Sequence, residues 1–342
     1  VIKEYLKECL EGKTLTELEA ESIMDEIMTG EATPSQIASL LSILRFRGET
    51  VEELTGFARS MRTHMSTISL DNHEEMIDTC GTGGDGVSSF NISTASAIVV
   101  SSLGIQVAKH GNRAVSSKSG SADVLEYLGI PIQSSAEEVK AALKSNSMSF
   151  LFAPIYHSAM KHAVAPRKEI GFRTVFNLLG PLSNPARCTK QVIGVYDTKF
   201  AEKMAQTLKR LGSKHVLFVT GRDGLDEISV TTYTDVVELK DGEIKRYTIH
   251  PNDFSLPTGN LKEIQTNTVE DSAKLILQIF NKTANESARN TVLVNAGSAI
   301  YVSGRVATIT EGIEMAREAI DTNKVLNHFH TIAQKQEEHK YA

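Results

Sequence analysis

Four glycines crowd into DTCGTGGDG, Asp78 to Gly86: Gly81, Gly83, Gly84 and Gly86. They stand between an apolar run ending at Ile77 and a helix-like run from Ser93. Glycine lets the backbone turn its N–H groups inward and admits a ligand with no Cβ in the way. Set before a helix N-terminus, such a loop favours phosphate, because free N–H groups and the helix dipole both attract an anion. An ordinary glycine-rich turn has the same composition, so the loop alone does not decide. It continues into VSSFNIST, where Asn91, Ser93 and Thr94 can cap the helix or face a ligand.

Three further constellations bear on that choice. KHGNRAVSSKSGSAD, Lys109 to Asp123, gathers Lys109, His110, Asn112, Arg113, Ser116, Ser117, Lys118, Ser119 and Ser121 into one polar segment after a strand-like run. Cations supply charge and hydroxyls reach phosphate oxygens, so the segment suits a polyanion; a solvated basic loop is the plainer reading. It is no Walker A loop, because Asn112 and Ser117 stand where that pattern has glycine before Lys118 and Ser119, which disfavours an ordinary kinase or ATPase. GRDGLDEIS, Gly221 to Ser229, carries adjacent acids Asp226 and Glu227 after the apolar run Val216–Val219. Such a pair is commonly surface charge. Beside two phosphate-type loops it suits Mg²⁺, which is held by one or two carboxylates plus substrate phosphates. In the stretch from Tyr156 to Pro185, Arg167 and Arg173 offer planar guanidinium forks for a carboxylate, with His157 and His162 as helpers or structural groups. Spacing alone does not choose among these four.

The elements that must carry these residues fall into two kinds. Up to about residue 67 the chain reads as helices only, with apolar residues at helical spacing. Thr16 with Glu19, Thr33 with Gln36 and Thr50 with Glu53 each match a capping box, and Gly12, Gly30 and Gly48 mark helix ends. From about residue 76, short apolar runs alternate with helical patterns, which predicts α/β architecture. Strands are expected at Met76–Asp78, Ile105–Ala108, Ser149–Ala153, Val192–Tyr196, Val216–Thr220 and Val292–Asn295, with a hairpin turning at Asp241-Gly242. Helices are expected at Ser93–Leu103, Ala122–Leu128, Ala136–Lys144, Phe200–Leu211 and Asp271–Asn281. A last helix is expected from Glu311, dissolving into a polar tail. Residues 154–190, rich in Pro, His and Arg, read as a functional loop.

Composition narrows the class. The chain has 342 residues, 41% hydrophobic and 23% charged, as a globular protein of one large or two ordinary domains would. A net charge of -6 disfavours a nucleic-acid partner. Cys9, Cys80 and Cys188, odd in number and far apart, give neither disulfide framework nor metal-ligand spacing, and favour a reducing, cytoplasmic setting. No apolar run approaches the ~20 residues of a membrane span, and the amphipathic VIKEYLKECLEGK has no signal-peptide core.

In the order DTCGTGGDG, FNIST, KHGNRAVSS, APRKEIGFRTVFNLLGPLSNP, DGLDE and NAGSA, the chain resembles the anthranilate phosphoribosyltransferase family over nearly its whole length. That resemblance implies a small all-helical N-terminal domain (1–70, with helical segments from about 160–185) joined to a larger α/β domain (71–342), whose central, mostly parallel sheet is flanked by helices. It implies transfer of the phosphoribosyl group of PRPP to the amino group of anthranilate, with Mg²⁺, in a homodimer formed through the helical part. PRPP would lie against Gly81, Gly83, Gly84, Asp85, Ser89, Asn91, Ile92, Ser93 and Thr94. It would also meet Lys109, His110, Gly111, Asn112, Arg113, Ala114, Val115, Ser116, Ser117 and Ser121. Ser89 replaces the family's frequent threonine and keeps the hydroxyl. Ser93, Asp226 and Glu227 would serve the metal. Gly81, Asn112 and Arg167 would contact anthranilate, with His110 and His157 lining the same region. Lys109, Asn112 and Arg167 would act by electrostatics and positioning, with no certain acid–base catalyst. Two other readings remain: a pyrimidine nucleoside phosphorylase, which shares the fold, and a non-catalytic relative binding nucleic acid or protein. KHGNRAVSS and DGLDE weigh against the first, and the net acidity against the second.

Overall fold

The structure, a computed structural model, describes residues 2–70, 74–83, 86–114 and 118–339. It begins with α1 (Ile2–Leu10), α2 (Glu17–Thr29), α3 (Pro34–Arg47) and α4 (Val51–His64). Thr16, Thr33 and Thr50 each accept the N–H three residues on and receive that residue's side chain on their own N–H, so all three expected capping boxes form. A cap of this kind contributes about 1 kcal/mol. Gly30 then stops α2 at φ +84, in the left-handed region that glycine enters without strain.

The rest alternates. β1 (Ile77–Gly81), α5 (Ile92–Ser102), β2 (Val107–Gly111), α6 (Ser121–Tyr127), α7 (Ala136–Asn146) and β3 (Met148–Phe152) come first. Short helices α8 (Ala153–Tyr156), α9 (Lys161–Ile170) and α10 (Val175–Leu179) lead to β4 (Lys190–Gly194), α11 (Thr198–Arg210) and β5 (His215–Gly221). The hairpin β6 (Thr234–Lys240) and β7 (Glu243–Ile249) precedes α12 (Val269–Phe280), α13 (Glu286–Ser303), α14 (Ile309–Asp321) and α15 (Lys324–His339).

One seven-stranded sheet runs β3-β2-β1-β4-β5-β6-β7. Its first five strands are parallel, and β6 and β7 pair antiparallel. The β6–β7 turn falls on Asp241 and Gly242, both at positive φ, as a type I′ turn requires. Alternation along β5 sends Leu217 and Val219 into a core built with α5, α12, α13 and α14. Val216 and Phe218 enter a second core, shared with α11 and with the helices α2, α3, α4, α9 and α10.

Three expectations are corrected. Val292–Asn295 is no strand but the middle of α13, a helix buried along most of its length. A helix enclosed on all sides shows no apolar stripe, so its short Val-Leu-Val run imitates a buried strand. The last helix is two, α14 and α15, broken at Asn323 with φ +61, and α15 extends through much of the expected polar tail. Residues 154–190 do not form a loop: α8, a short 3₁₀ turn at Ser158–Met160, α9 and α10 occupy most of them.

Candidate active site

β1 and β4 are neighbours, while their next strands lie on opposite sides. Open parallel sheets bind ligands in the crevice at such a reversal, outside the carboxyl ends of the strands. Here the two strands end on paired glycines, Gly81 and Gly194. Thr82 donates its N–H to the Gly194 carbonyl at 2.8 Å, and its Oγ1 accepts the Tyr196 N–H at 3.1 Å. Asp226 closes over both. A Cβ at Gly81 would stand 3.0 Å from Asp226 Oδ2, and one at Gly194 would overlap the Asp226 carbonyl. The Gly83 N–H donates to Asp226 Oδ2 at 3.0 Å. Glycine loop and acidic loop, 143 residues apart in sequence, are therefore bonded to each other.

The acidic loop is tied from behind. Asp223 Oδ2 accepts from the hydroxyls of Ser229 and Thr231, each at 2.5 Å. From α13, Asn295 accepts the Ile228 N–H at 3.0 Å and donates to the Ile228 carbonyl at 3.0 Å, gripping the backbone just past Glu227. Gly194 falls unmarked inside the expected strand Val192–Tyr196, and Asn295 opens the NAGSA motif, which assigns it no role, at the end of a run that reads as a strand.

Beneath the glycine loop lies Lys109, 1% exposed. Its Nζ donates to the Thr79 carbonyl at 2.5 Å and to Ser93 Oγ at 3.0 Å. Burial lowers its pKa, while Asp78, Cys80 and Glu227 favour the charged form. Asp78 is wholly buried; it accepts the His110 N–H at 3.1 Å and an Asn184 amide N–H at 2.8 Å. Asn184 also donates to the Ala108 carbonyl at 2.9 Å and accepts the Ala186 N–H at 2.7 Å. Asp78 and Asn184 belong to quoted motifs, yet those motifs assign neither a role. Their signal is a charged and an amide residue inside apolar surroundings.

The polar segment after β2 is bound to the start of α5. Asn91 Oδ1 accepts from Ser119 Oγ and Ser272 Oγ, each at 2.7 Å, and its amide donates to the Ser119 carbonyl at 3.2 Å. It makes no side-chain cap for α5. Ile92 and Thr94 are buried, the Thr94 hydroxyl without a hydrogen-bond partner among the described residues. Ser89 bridges to Gln265. Gly111 ends β2 where a Cβ would strike Ser121 Oγ and the Phe150 ring, and Ser121 donates to the Asn112 carbonyl at 3.3 Å. Asn112 is exposed and accepts the Arg113 N–H at 2.8 Å. Arg113 is engaged by Asp123 and Glu126, at 3.0 and 2.8 Å, and the Ala114 N–H by Asp123 at 2.9 Å. Gly84, Asp85, Val115, Ser116 and Ser117 lie outside the described residues.

His110 and His157 face each other with ring centroids 5.1 Å apart. Burial pushes their pKa values down to about 3 and about 4, and the pair's mutual repulsion adds to the effect on His110. Both rings are therefore neutral at pH 7, and each leaves a buried Nε2 without a hydrogen-bond partner among the described residues. Arg167, on α9, lies 5.1 Å over the Phe176 ring, and burial lowers its pKa. No carboxylate of the described residues forms an ion pair with it. Arg173 instead stacks on Tyr196 at 4.3 Å, and His162 packs over Gly30 in the helical part.

Asp226, Glu227 and Ser93 offer oxygen donors only, the kind a hard divalent ion takes. Among the described residues no three His, Cys, Asp or Glu side chains are grouped to hold a metal. A Mg²⁺ ion here would therefore draw most of its shell from ligand phosphate and water, which is its usual habit at phosphate sites. No helix among the described residues is long and apolar enough to cross a membrane.

Comparison with known proteins agrees along the entire chain. Residues 3–65 match the glycosyl transferase family helical bundle domain, and residues 73–326 match the glycosyl transferase family a/b domain. The anthranilate phosphoribosyltransferase of Geobacillus sp. (strain WCH70) is 63% identical over 342 residues, covering 100% of both chains. That of Bacillus subtilis (strain 168) is 53% identical over 98% of each. Among solved structures, anthranilate phosphoribosyltransferase from Thermus thermophilus superposes with a TM-score of 0.90 at 35% identity, covering 97% of this chain and 99% of that one. The Saccharomyces cerevisiae enzyme in complex with PRPP and Mg gives 0.88 at 26% identity over 98% of each. The chain belongs to the anthranilate phosphoribosyltransferases, glycosyl transferases of tryptophan biosynthesis.

Proposed function

We propose that the β1/β4 crevice performs the family's transfer of the PRPP phosphoribosyl group to the amine of anthranilate, with the roles as follows. The observation that carries this is the bond between the glycine loop and Asp226, which brings an anion loop and an acidic pair into one crevice. Cleaving the C1–O bond of PRPP builds positive charge on the ribose and negative charge on departing pyrophosphate. The loop from Gly81 to Asp85, the α5 start at Asn91–Thr94 and the Lys109–Ser121 segment bind PRPP. Their N–H groups and hydroxyls meet the leaving charge, an electrostatic contribution. Lys109 supports it from below, with two of its ammonium protons on Thr79 and Ser93. Ser93, Asp226 and Glu227 hold Mg²⁺. When bound, that ion neutralises the diphosphate as it leaves.

Arg167 receives the anthranilate carboxylate. That no acid among the described residues pairs with it supports this, since a desolvated guanidinium gains most from a bidentate anion. Asn112 and Gly81 border the same space, and His110 and His157 offer neutral acceptors. The arylamine is neutral at pH 7, so positioning replaces deprotonation as the main contribution. The protein works as a homodimer through its helical part, residues 1–70 with segments from about 160–185, and its three buried thiols suit a reducing cytoplasm.

Anthranilate fluorescence tests the reading. It should fall when PRPP and Mg²⁺ are added together, and Asp226→Ala should make that loss demand far more Mg²⁺. An Asp226→Ala enzyme with an unaltered Mg²⁺ response would refute the metal assignment.

A further inference from the structure

A second cationic cavity lies at the opposite end of the sheet. Arg59, Arg62 and Thr63 of α4 meet Arg187, Thr189 and Ser213 around a space of about 350 Å³. Thr189 and Ser213 precede β4 and β5, whereas the candidate active site uses the carboxyl end of β4 at Gly194. Five residues of strand separate the two ends, roughly 16 Å. The cavity is thus distinct from the crevice already described.

Its charges are unbalanced. Arg59 is bound to Glu17, and Arg62 donates Nε to the Leu182 carbonyl at 2.8 Å. Among the described residues, neither Arg62 nor Arg187 forms an ion pair with an acid. Glu21 is the carboxylate among the described lining residues. Burial and the neighbouring Arg187 together lower the Arg62 pKa to about 10, the mark of like charges held close in a poorly solvated place. Arg187 itself sits at φ +54, its N–H bonded to the Asn184 carbonyl at 2.9 Å, so the backbone rather than an acid sets its position. Guanidinium forks and hydroxyls converge from separate elements. That spread of donors suits a tetrahedral oxyanion better than a planar carboxylate, which a single fork satisfies.

We propose that this cavity binds a small phosphate-type oxyanion — inorganic phosphate, pyrophosphate or a sugar phosphate — that joins α4 to the turns entering β4 and β5. The test is isothermal titration of each of these three, the sugar phosphate as ribose 5-phosphate, into the full-length protein already saturated with PRPP and Mg²⁺. One further site per chain is expected for at least one of them, and the one that binds identifies the source. Arg187→Glu should weaken that site at least tenfold while leaving turnover in anion-free buffer within twofold. Should Arg187→Glu lose turnover through misfolding, Arg187→Gln serves in its place with the same expected loss. No additional anion bound by the wild-type protein, or unchanged binding by the folded variant, overturns the proposal.

Discussion

At the scale of single residues, Arg167, which pairs with no acid among the described residues, makes the sharpest demand. A charged hydrogen bond lost from a desolvated site costs roughly 1.5–3 kcal/mol. Arg167→Ala should accordingly raise the KM for anthranilate about 10- to 100-fold and leave the KM for PRPP nearly unchanged. Arg167→Lys should recover little, because an ammonium cannot present a fork. Steady-state kinetics with each substrate varied in turn decides it; an unchanged anthranilate KM would remove Arg167 from the site. His110 and His157 carry a different prediction. Their pKa values of about 3 and about 4 lie below the 6.5 of an unfolded histidine, so the unfolded chain binds protons that the fold refuses. Stability from this source is complete above pH 6.5 and declines as the pH falls toward 4, by about 1.4 kcal/mol per pH unit for each ring. Urea unfolding at pH 6.5 and 5.5 should show the decline, and His157→Asn should flatten it by one ring's share. The same slope in both proteins would mean that His157 is charged in the fold.

Elements show how far one sequence can be read. The capping boxes, the Asp241-Gly242 turn and the alternating strands were legible, since each depends on residues a few positions apart. The glycine, basic and acidic loops were legible as separate pieces. What joins them was not. Gly194 lay in the middle of the expected strand Val192–Tyr196, and Asn295, although it opens the NAGSA motif, ended an apolar run with no helical stripe, because α13 is buried along most of its length. Their meaning comes from neighbours far along the chain. Gly194→Ala would drive a Cβ into the Asp226 carbonyl, so the acidic loop must shift. We expect turnover to fall by about tenfold or more, since displacements near 1 Å at a reacting centre are costly. Asn295→Ala strips partners from both polar groups of Ile228 and should cost about 2–6 kcal/mol of stability at roughly 1–3 per orphaned group. A thermal melt unchanged by Asn295→Ala would show that the loop does not depend on α13.

For the whole molecule, the question is what covers the helical part. Phe46, at the end of α3, is 96% exposed, and Leu10, on α1, is 75% exposed. Large side chains in water at these levels on one subdomain are what a two-fold contact would bury. Leu10 falls within the helical spacing of Ile2, Tyr5, Leu6 and Cys9 and so reads as a core position, whereas Phe46 lies off the Ile37, Leu40, Leu41 and Leu44 face that the sequence shows for α3. If these helices form the proposed homodimer, a substitution there counts twice, once on each side of the symmetry axis. Burying a phenylalanine contributes about 1.5–3 kcal/mol, so Phe46→Asp should raise the dimer dissociation constant by about 10²- to 10⁴-fold. Sedimentation velocity across a dilution series reads this directly. The crevice residues come from a single chain, so the monomer released by Phe46→Asp should keep its anthranilate turnover. A variant that stays dimeric at every dilution would move the interface away from α3. A monomer without turnover would mean that association, and not the crevice alone, holds α9 and Arg167 in place.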